Sequence, residues 1–339
     1  MKNVSTIGLD IAKKVFQVHG VGGAGTVVVR KTLRRSQLLD WFAQLPRCLV
    51  GLEACATAHY WARELRRLGH DVRLIPPQYV KGYVRRNKSD AADAAAICEA
   101  VSRPGMRFVA IKSERQQAGV GVHRVRELLK KQHTMLRNHI RGLMAEFGIV
   151  AARGRRGMAE LLAILTDPED RRLPSRLREP LVAVAQTLRG IDGKLAALER
   201  QMAAAGREDA TYRHLITARG YGVVLSSAMS AIVTDPTAFA RGEDFAASLG
   251  LVPRHEGTGG KTWLGPISKR GNGYLRRLLV NGATAVLNSK QAKHDPWLTK
   301  LLANKPRKLV AVALANKMAR IGWALMVRQE DYRSSPASA

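Results

Sequence analysis

Ser5-Thr6-Ile7-Gly8-Leu9-Asp10-Ile11-Ala12 is the stretch from which the fold is read. It is a short apolar run of the kind that forms a buried strand, and it carries one carboxylate. A carboxylate inside such a strand is costly unless it is paired or holds a metal. Two β-branched runs follow, Lys14–Val21 and Thr26–Leu33, separated by the turn Gly22-Gly23-Ala24-Gly25. Ser36–Leu45 has helical apolar spacing, with Ser36 as its N-cap. Leu49–Glu53 is a second buried-strand run that ends on an acid. Thr57–Leu68 is helical, with Thr57 at its start and Gly69 as its stop. Asp71–Ile75 is a fifth strand, ended by Pro76-Pro77, and an Ala-rich helix runs from about Asn87 to Val101.

The order is three strands in a meander, then helix, strand, helix, strand, helix. That is the ribonuclease-H-like pattern, a mixed sheet with helices on its faces. The middle of the chain is helical. Val125, Leu129, Leu136, Ile140, Leu143 and Phe147 follow three- and four-residue steps. Leu181, Val184, Leu188, Ile191, Leu195, Leu198 and Met202 step 3-4-3-4-3-4, a stripe of about three heptads. Such a stripe either packs on its own domain or pairs protomers in a coiled coil. Asp167 to Pro180 reads as a connector. The C-terminal third restarts at Gly220-Tyr221-Gly222, a turn that opens a helix and offers N–H groups to a phosphate, or simply joins two helices. The domains read as 1–110, an α/β unit; 111–208, helical; and 209–330, mostly helical; with a frayed tail at 331–339.

Charge narrows the function. The 339 residues hold 56 Lys+Arg against 27 Asp+Glu, a formal net charge of +29, with 46% hydrophobic residues. Too apolar for a disordered chain, the sequence suits a globular protein of two or three domains. Three cysteines without a CxxC pair exclude a disulfide scaffold and read as reduced thiols. No signal peptide or 18-residue uncharged span is evident. The remaining reading of +29 is a polyanion partner, most simply nucleic acid. Net charge is +10 over residues 1–110, +7 over 111–210 and +12 over 211–339. Arg254 to Arg328 alone holds 15 basic and 2 acidic residues. The basicity is therefore a long surface with salt-sensitive affinity, densest near the C-terminus.

Four acids form the first candidate site. Asp10 lies in the first strand and Glu53 ends the fourth, its neighbour in this topology. Asp90 and Asp93 are three apart on the Ala-rich helix and share a face. Four oxygen ligands suit Mg²⁺ or Mn²⁺, and two such ions can activate an attacking oxygen and stabilise the leaving one in phosphodiester chemistry. Each acid has a plainer role open to it. Asp90 can favour a helix N-terminus capped by Asn87, Asp93 can be solvated near Arg85, Arg86 and Lys88, and Glu53 can be a surface acid.

The second candidate is Pro253 to Lys261. Gly257-Thr258-Gly259-Gly260 is a loop with one hydroxyl, among Arg254, Lys261, Lys269, Arg270, Arg276 and Arg277. A hydroxyl attacking phosphate needs such positive charge. A hairpin that grips phosphate without chemistry has the same composition.

Together these clusters resemble the DEDD transposases of bacterial insertion sequences. The resemblance rests on Gly8–Lys13, Leu52-Glu53-Ala54 and Asn87–Ala94, then Leu249–Arg254, the Thr-Gly-Gly loop, and Ile267–Asn272 with Leu275-Arg276; it spans about residues 5–325. It implies a ribonuclease-H-like (RuvC-like) domain binding Mg²⁺, with Mn²⁺ possible, through Asp10, Glu53, Asp90 and Asp93. It implies a helical coiled-coil middle and a C-terminal transposase domain whose serine links covalently to DNA. It further implies a noncoding guide RNA, a homodimer or tetramer, a bacterial cytoplasmic setting at the nucleoid, and no membrane. The phosphate-facing cations would be Arg85, Arg86, Lys88, Arg254, Lys261, Lys269, Arg270, Arg276 and Arg277. The family serine falls on Thr258, or on Gly257 with a one-place slip, and Ser268 is the nearby fallback. Thr258 keeps a hydroxyl but adds a methyl that restricts its rotamers. Arg219 stands where related chains commonly have Pro. Two other readings of the residues are a metal-dependent junction-resolving nuclease with no covalent step, and a nucleic-acid-binding protein without catalysis.

Overall fold

In the computed structural model, residues 3–83, 90–258 and 261–333 are described, with His255, Thr258, Lys261 and Thr262 described by backbone alone. Arg85, Arg86, Asn87 and Lys88, the two glycines 259 and 260, and the tail from 334 lie outside the described residues. The chain divides into two compact units, Met1–Arg115 and Gln116–Ala339.

The first unit is built on one sheet. β1 (Thr6–Ile11), β2 (Val15–Val21) and β3 (Val27–Arg34) form an antiparallel meander. β4 (Leu49–Glu53) lies parallel to β1 on its other side, and β5 (Asp71–Ile75) lies parallel to β4, giving the order β3-β2-β1-β4-β5. The expected meander, crossover and mixed sheet are all present. One helix start differs from expectation, and one, at Thr57, agrees with it. Ser36 sits inside a 3₁₀ turn (Arg35–Gln37) ahead of α1 (Leu38–Ala43) and caps nothing. Thr57 precedes α2 (Ala58–Arg67) at φ 69° and makes no side-chain cap bond. Then come α3 (Pro77–Val80) and α4 (Asp90–Val101).

Strand alternation sorts the residues of β1 and β4 onto two faces. Ile7, Leu9, Val50 and Leu52 are fully buried, in one core with Leu38, Trp41 and Phe42 around α1 and Trp61 and Leu65 of α2. The alternate positions, Gly8, Asp10, Gly51 and Glu53, belong to the face on which α4 packs. A Cβ at Gly8 would lie 2.1 Å from the Ala94 carbonyl oxygen and 2.3 Å from the Cys98 nitrogen. A Cβ at Gly51 would lie 2.7 Å from the Val101 Cβ. The helix therefore rests on bare strand backbone at both points, and its small residues, Ala94, Ala96 and Ala100, are buried there.

The second unit begins with α5 (Glu114–Ala145), α6 (Arg155–Thr166) and α7 (Ser175–Arg207). α5 and α7 run antiparallel in a heptad register. Arg126 pairs with Glu199 at 2.8 Å, and seven residues on, His133 meets Asp192 at 3.0 Å. Further along, Ile140 and Met144 share a core with Leu181, Ala185 and Leu188, closed by Met158, Leu161 and Leu165 of α6. Leu181, Leu188, Ile191, Leu195 and Met202 are all buried within the single chain. Of the two roles open to this stripe, packing on its own domain is the one the burial shows. The connector is shorter than expected, because α7 starts at Ser175 and includes Pro180. Arg178 donates to the carbonyls of Ile164, Leu165 and Asp167, tying this start to the end of α6.

The remainder comprises α8 (Ala210–Ile216), α9 (Val223–Ile232), α10 (Gly242–Ser248), the hairpin β6 (Pro253–Thr258) and β7 (Lys261–Ile267), α11 (Gly273–Asn288), α12 (Pro296–Asn304) and α13 (Arg307–Arg328). The Gly220-Tyr221-Gly222 turn is a packing feature. Tyr221 is buried and donates to the Met318 carbonyl, while the Gly220 carbonyl lies against Gly282. α13 is long and apolar enough to cross a membrane by length and composition, but half of that stretch is buried in the unit's own core. Buried His123 of α5 bonds the Tyr274 hydroxyl of α11 (2.9 Å) and the Ser227 hydroxyl of α9 (3.1 Å). Burial pushes its pKa down to about 4, so it joins the three helices as a neutral ring.

Overpacking costs about 1–3 kcal/mol. Gly8→Ala is thus expected to lower the melting temperature by roughly 5 °C or more. An unchanged melting curve would contradict the close approach of α4 to β1.

Candidate functional site

Asp10, Asp90 and Asp93 come together: one carboxylate oxygen from each lies within 4.8 Å of the others. The sheet places Asp10 opposite Gln17 on β2, on the face that α4 covers. The helix supplies Asp90 and Asp93 from its first turn, where the dipole favours negative charge. Glu53 follows directly after the Leu9–Leu52 pair of β1 and β4. Its charge is felt by Asp10, but its carboxylate is not one of the three within 4.8 Å. Three of the four expected acids are therefore gathered closely, and the fourth flanks them.

The electrostatics follow from that crowding. Burial, then the charges of Asp93, Asp90 and Glu53, push the Asp10 carboxyl up from 3.8 to about 6. Asp90 is exposed, and Asp10 and Asp93 are half-buried, so the cluster opens to solvent on one side. Among the described residues, none of the three is in a salt bridge with a cation. An all-oxygen donor set that repels itself and, among the described residues, has no paired cation fits a hard divalent cation. Cys55, two residues past Glu53, belongs to the same environment. Its thiol is held above its ordinary value by burial and by the charges of Glu53 and Asp10. Sequence reading missed both Cys55 and Gln17. Strand register against Asp10 was the signal for Gln17.

The second site is a hairpin standing on two packed motifs. Thr258 ends β6 and pairs across the ladder with Lys261. At its base, Gly250 and Gly271 both take φ 69°. A Cβ on Gly250 would lie 2.5 Å from Arg270 backbone, and one on Gly271 would lie 1.8 Å from the Ser248 carbonyl oxygen. Leu249–Arg254 and Ile267–Asn272 thus hold each other in place. Asn272 caps α11, its side-chain oxygen accepting from the N–H groups of Tyr274 and Leu275. Ser268 is half-buried and donates its backbone N–H to the Val252 carbonyl.

The cations of this region divide into two groups. Arg254, Lys269 and Arg270 are exposed. Arg276 is half-buried and donates to the carbonyls of Leu249 and Arg270, both at 2.8 Å. Arg277 pairs with Glu127 and lies 5.4 Å from the Tyr274 ring centre. Both have in-chain work that spacing alone did not reveal. Arg219 likewise bonds Ser289 and lies 3.5 Å from Asp295. The Lys261 side chain lies outside the described residues, as do Arg85, Arg86 and Lys88.

Asp10 gives a pH test. Unfolded, its carboxyl ionises near 3.8; folded, near 6. The folded state therefore binds more protons in between, and stability from this group is lost as pH rises from about 4 through 6. In chelator at pH 8, Asp10→Asn is expected to melt higher than wild type, with the gap closing by pH 4. A variant less stable than wild type at pH 8 would contradict the crowding.

Comparison with known proteins agrees along the whole chain. A DEDD transposase family description matches residues 7–149. One for the transposase IS116/IS110/IS902 family matches residues 212–297. A probable family 20 transposase of Pseudomonas aeruginosa is 51% identical over 335 residues, covering 98% of this chain and 99% of that protein. The transposase for insertion sequence element IS1328 of Yersinia enterocolitica is 39% identical, covering 96% and 97%. The transposase for insertion sequence element IS1111A of Coxiella burnetii is 38% identical, covering 98% and 92%. With the acids of its first unit gathered on a ribonuclease-H-like sheet, the chain belongs to the IS110/IS116/IS902 family of insertion-sequence transposases.

Proposed function

We propose that this transposase cuts and rejoins DNA strands at a divalent-metal site made by Asp10, Asp90 and Asp93 with Glu53 beside them, and that the Thr258 hydroxyl makes a covalent link to DNA. The convergence of the three carboxylates within 4.8 Å carries the reading. When bound, Mg²⁺, or Mn²⁺ in its place, supplies positive charge at the scissile phosphate. The acids hold that charge in place, and their mutual repulsion makes the site avid for it. Thr258 ends β6 and pairs with Lys261 at the start of β7, which puts its backbone at the far end of the hairpin from Pro253. Its hydroxyl attacks phosphorus, gives up its proton to a base, and the P–O bond to the leaving strand breaks. Arg254, Lys269 and Arg270, exposed at the hairpin's base, face phosphates during this step.

The reading extends to partners and segments. Basic charge spread over both units suits a long nucleic-acid surface, and a noncoding guide RNA alongside DNA fits it. Residues 1–110 act as the metal-dependent segment, 111–208 as the helical arm and 209–330 as the hairpin-bearing segment, in a cytoplasmic, nucleoid-associated setting. Protomers associate as a dimer or tetramer. The Leu181–Met202 stripe is filled in-chain, while Val125, Leu128 and Met135 of α5 are apolar and exposed and offer a surface for that contact.

A strand-cleavage assay on element-end DNA tests this. Asp10→Asn is expected to lower cleavage at least a hundred-fold while leaving DNA affinity within two-fold; cleavage that survives removes the metal site from the mechanism. Wild type is expected to yield a trapped protein–DNA adduct that Thr258→Val does not. An adduct that persists in the variant excludes Thr258, and no adduct in wild type supports cleavage without a covalent step.

A further inference from the structure

The outward face of α13 is not covered. Val310, Leu314, Met318 and Leu325 of this helix sit in the core. Leu309 and Lys317, with Val312 and Ile321 that are half-buried at the core's edge, line a trough of about 680 Å³, closed on other sides by Trp297 and by Pro253 at the base of the hairpin. The trough side of α13 mixes these apolar residues with polar Asn316, Lys317 and Arg320. Here Leu309 is 52% and Trp297 36% exposed. The trough is large enough for a small-molecule-sized group.

Charge decides between occupants. From Lys290 to Arg320 the chain holds eight Lys/Arg and one acid, Asp295. The Lys317 ammonium lies 4.5 Å from the centre of the Trp297 ring. A second copy of the chain would bring a further net +29 against this surface, whereas a polyanion is drawn to it. Duplex DNA offers phosphates to the lysines but keeps its bases stacked inside, leaving the apolar walls in water. An unpaired nucleotide offers both parts: a flat apolar base for the aromatic wall and a phosphate for the ammonium.

We propose that this trough binds an unpaired nucleobase of single-stranded nucleic acid, stacked against Trp297 with its phosphate at Lys317. The inference rests on the chain acting on nucleic acid, and it deepens that reading by assigning a place for a base taken out of pairing. The trough borders Pro253 and Ile267, which pair with each other at the foot of the hairpin. A strand opened near Thr258 would therefore find this aromatic wall at the hairpin's base.

The test uses the full-length chain in chelator, so that cleavage does not enter. A single-stranded oligonucleotide carrying 2-aminopurine and a blunt duplex of the same sequence are titrated at one salt concentration. Trp297→Ala is expected to weaken single-strand binding roughly ten-fold or more and to abolish the 2-aminopurine quenching. Duplex affinity should stay within two-fold, and Trp297→Phe should restore most of the loss. Equal losses on both nucleic acids, or no loss on either, would overturn the proposal. So would a variant whose sizing changes while its single-strand affinity does not, since that assigns the face to a second copy. Cleavage with metal present is read separately from this binding in chelator, so failure of the metal-site reading and failure of this one are told apart.

Discussion

The site depends on how closely α4 lies on the sheet. Gly8 and Gly51 present bare backbone on adjacent strands, and the helix sits within about one Cβ of them. Because strand residues alternate, the face that carries these glycines also carries Asp10 and Glu53. A larger residue at either glycine would lift the helix and draw Asp90 and Asp93 away from Asp10. The fold thus uses two missing side chains to bring together carboxylates that sit eighty residues apart in sequence.

That arrangement works against the stability of the protein alone. Carboxylates this close repel one another, and Asp10 is held near 6 by burial and three neighbouring charges. Natural sequences keep such clusters where function needs them. A divalent cation reverses the sign of the interaction, so one geometry is a liability when empty of charge and a ligand set when filled. At the hairpin's base, Arg254, Lys269 and Arg270 are likewise exposed charges of one sign, suited to a polyanion.

Much of the first unit was legible. Apolar runs of five to eight residues bounded by Gly or Pro located all five strands, and the order of strands and helices specified the mixed sheet. Asp10 stood out because a charge inside an apolar run needs a reason. The glycine contacts were not legible, since a motif glycine does not disclose which helix it lies against. Glu53 was expected in the cluster on topology alone, and register places it beside the three rather than among them. In the second unit, the heptad stripe was clear but its partner was not: periodicity shows that a face is buried, not whose face buries it. Pro180 suggested a connector where α7 simply continues. Arg276 and Arg277 were read as phosphate-facing cations, and the structure adds in-chain roles: one clamps two carbonyls and the other pairs with Glu127. Spacing reveals charge, but not how a charge is used.

The most direct test of the central claim is calorimetric titration of Mn²⁺ into the full-length chain at pH 6 and pH 8, each in two buffers of different ionisation enthalpy. With Asp10 half-protonated near pH 6, metal binding is expected to release about half a proton at pH 6 and almost none at pH 8. Binding with no proton release at pH 6, or no binding at millimolar metal, would contradict a crowded carboxylate site built to hold a cation.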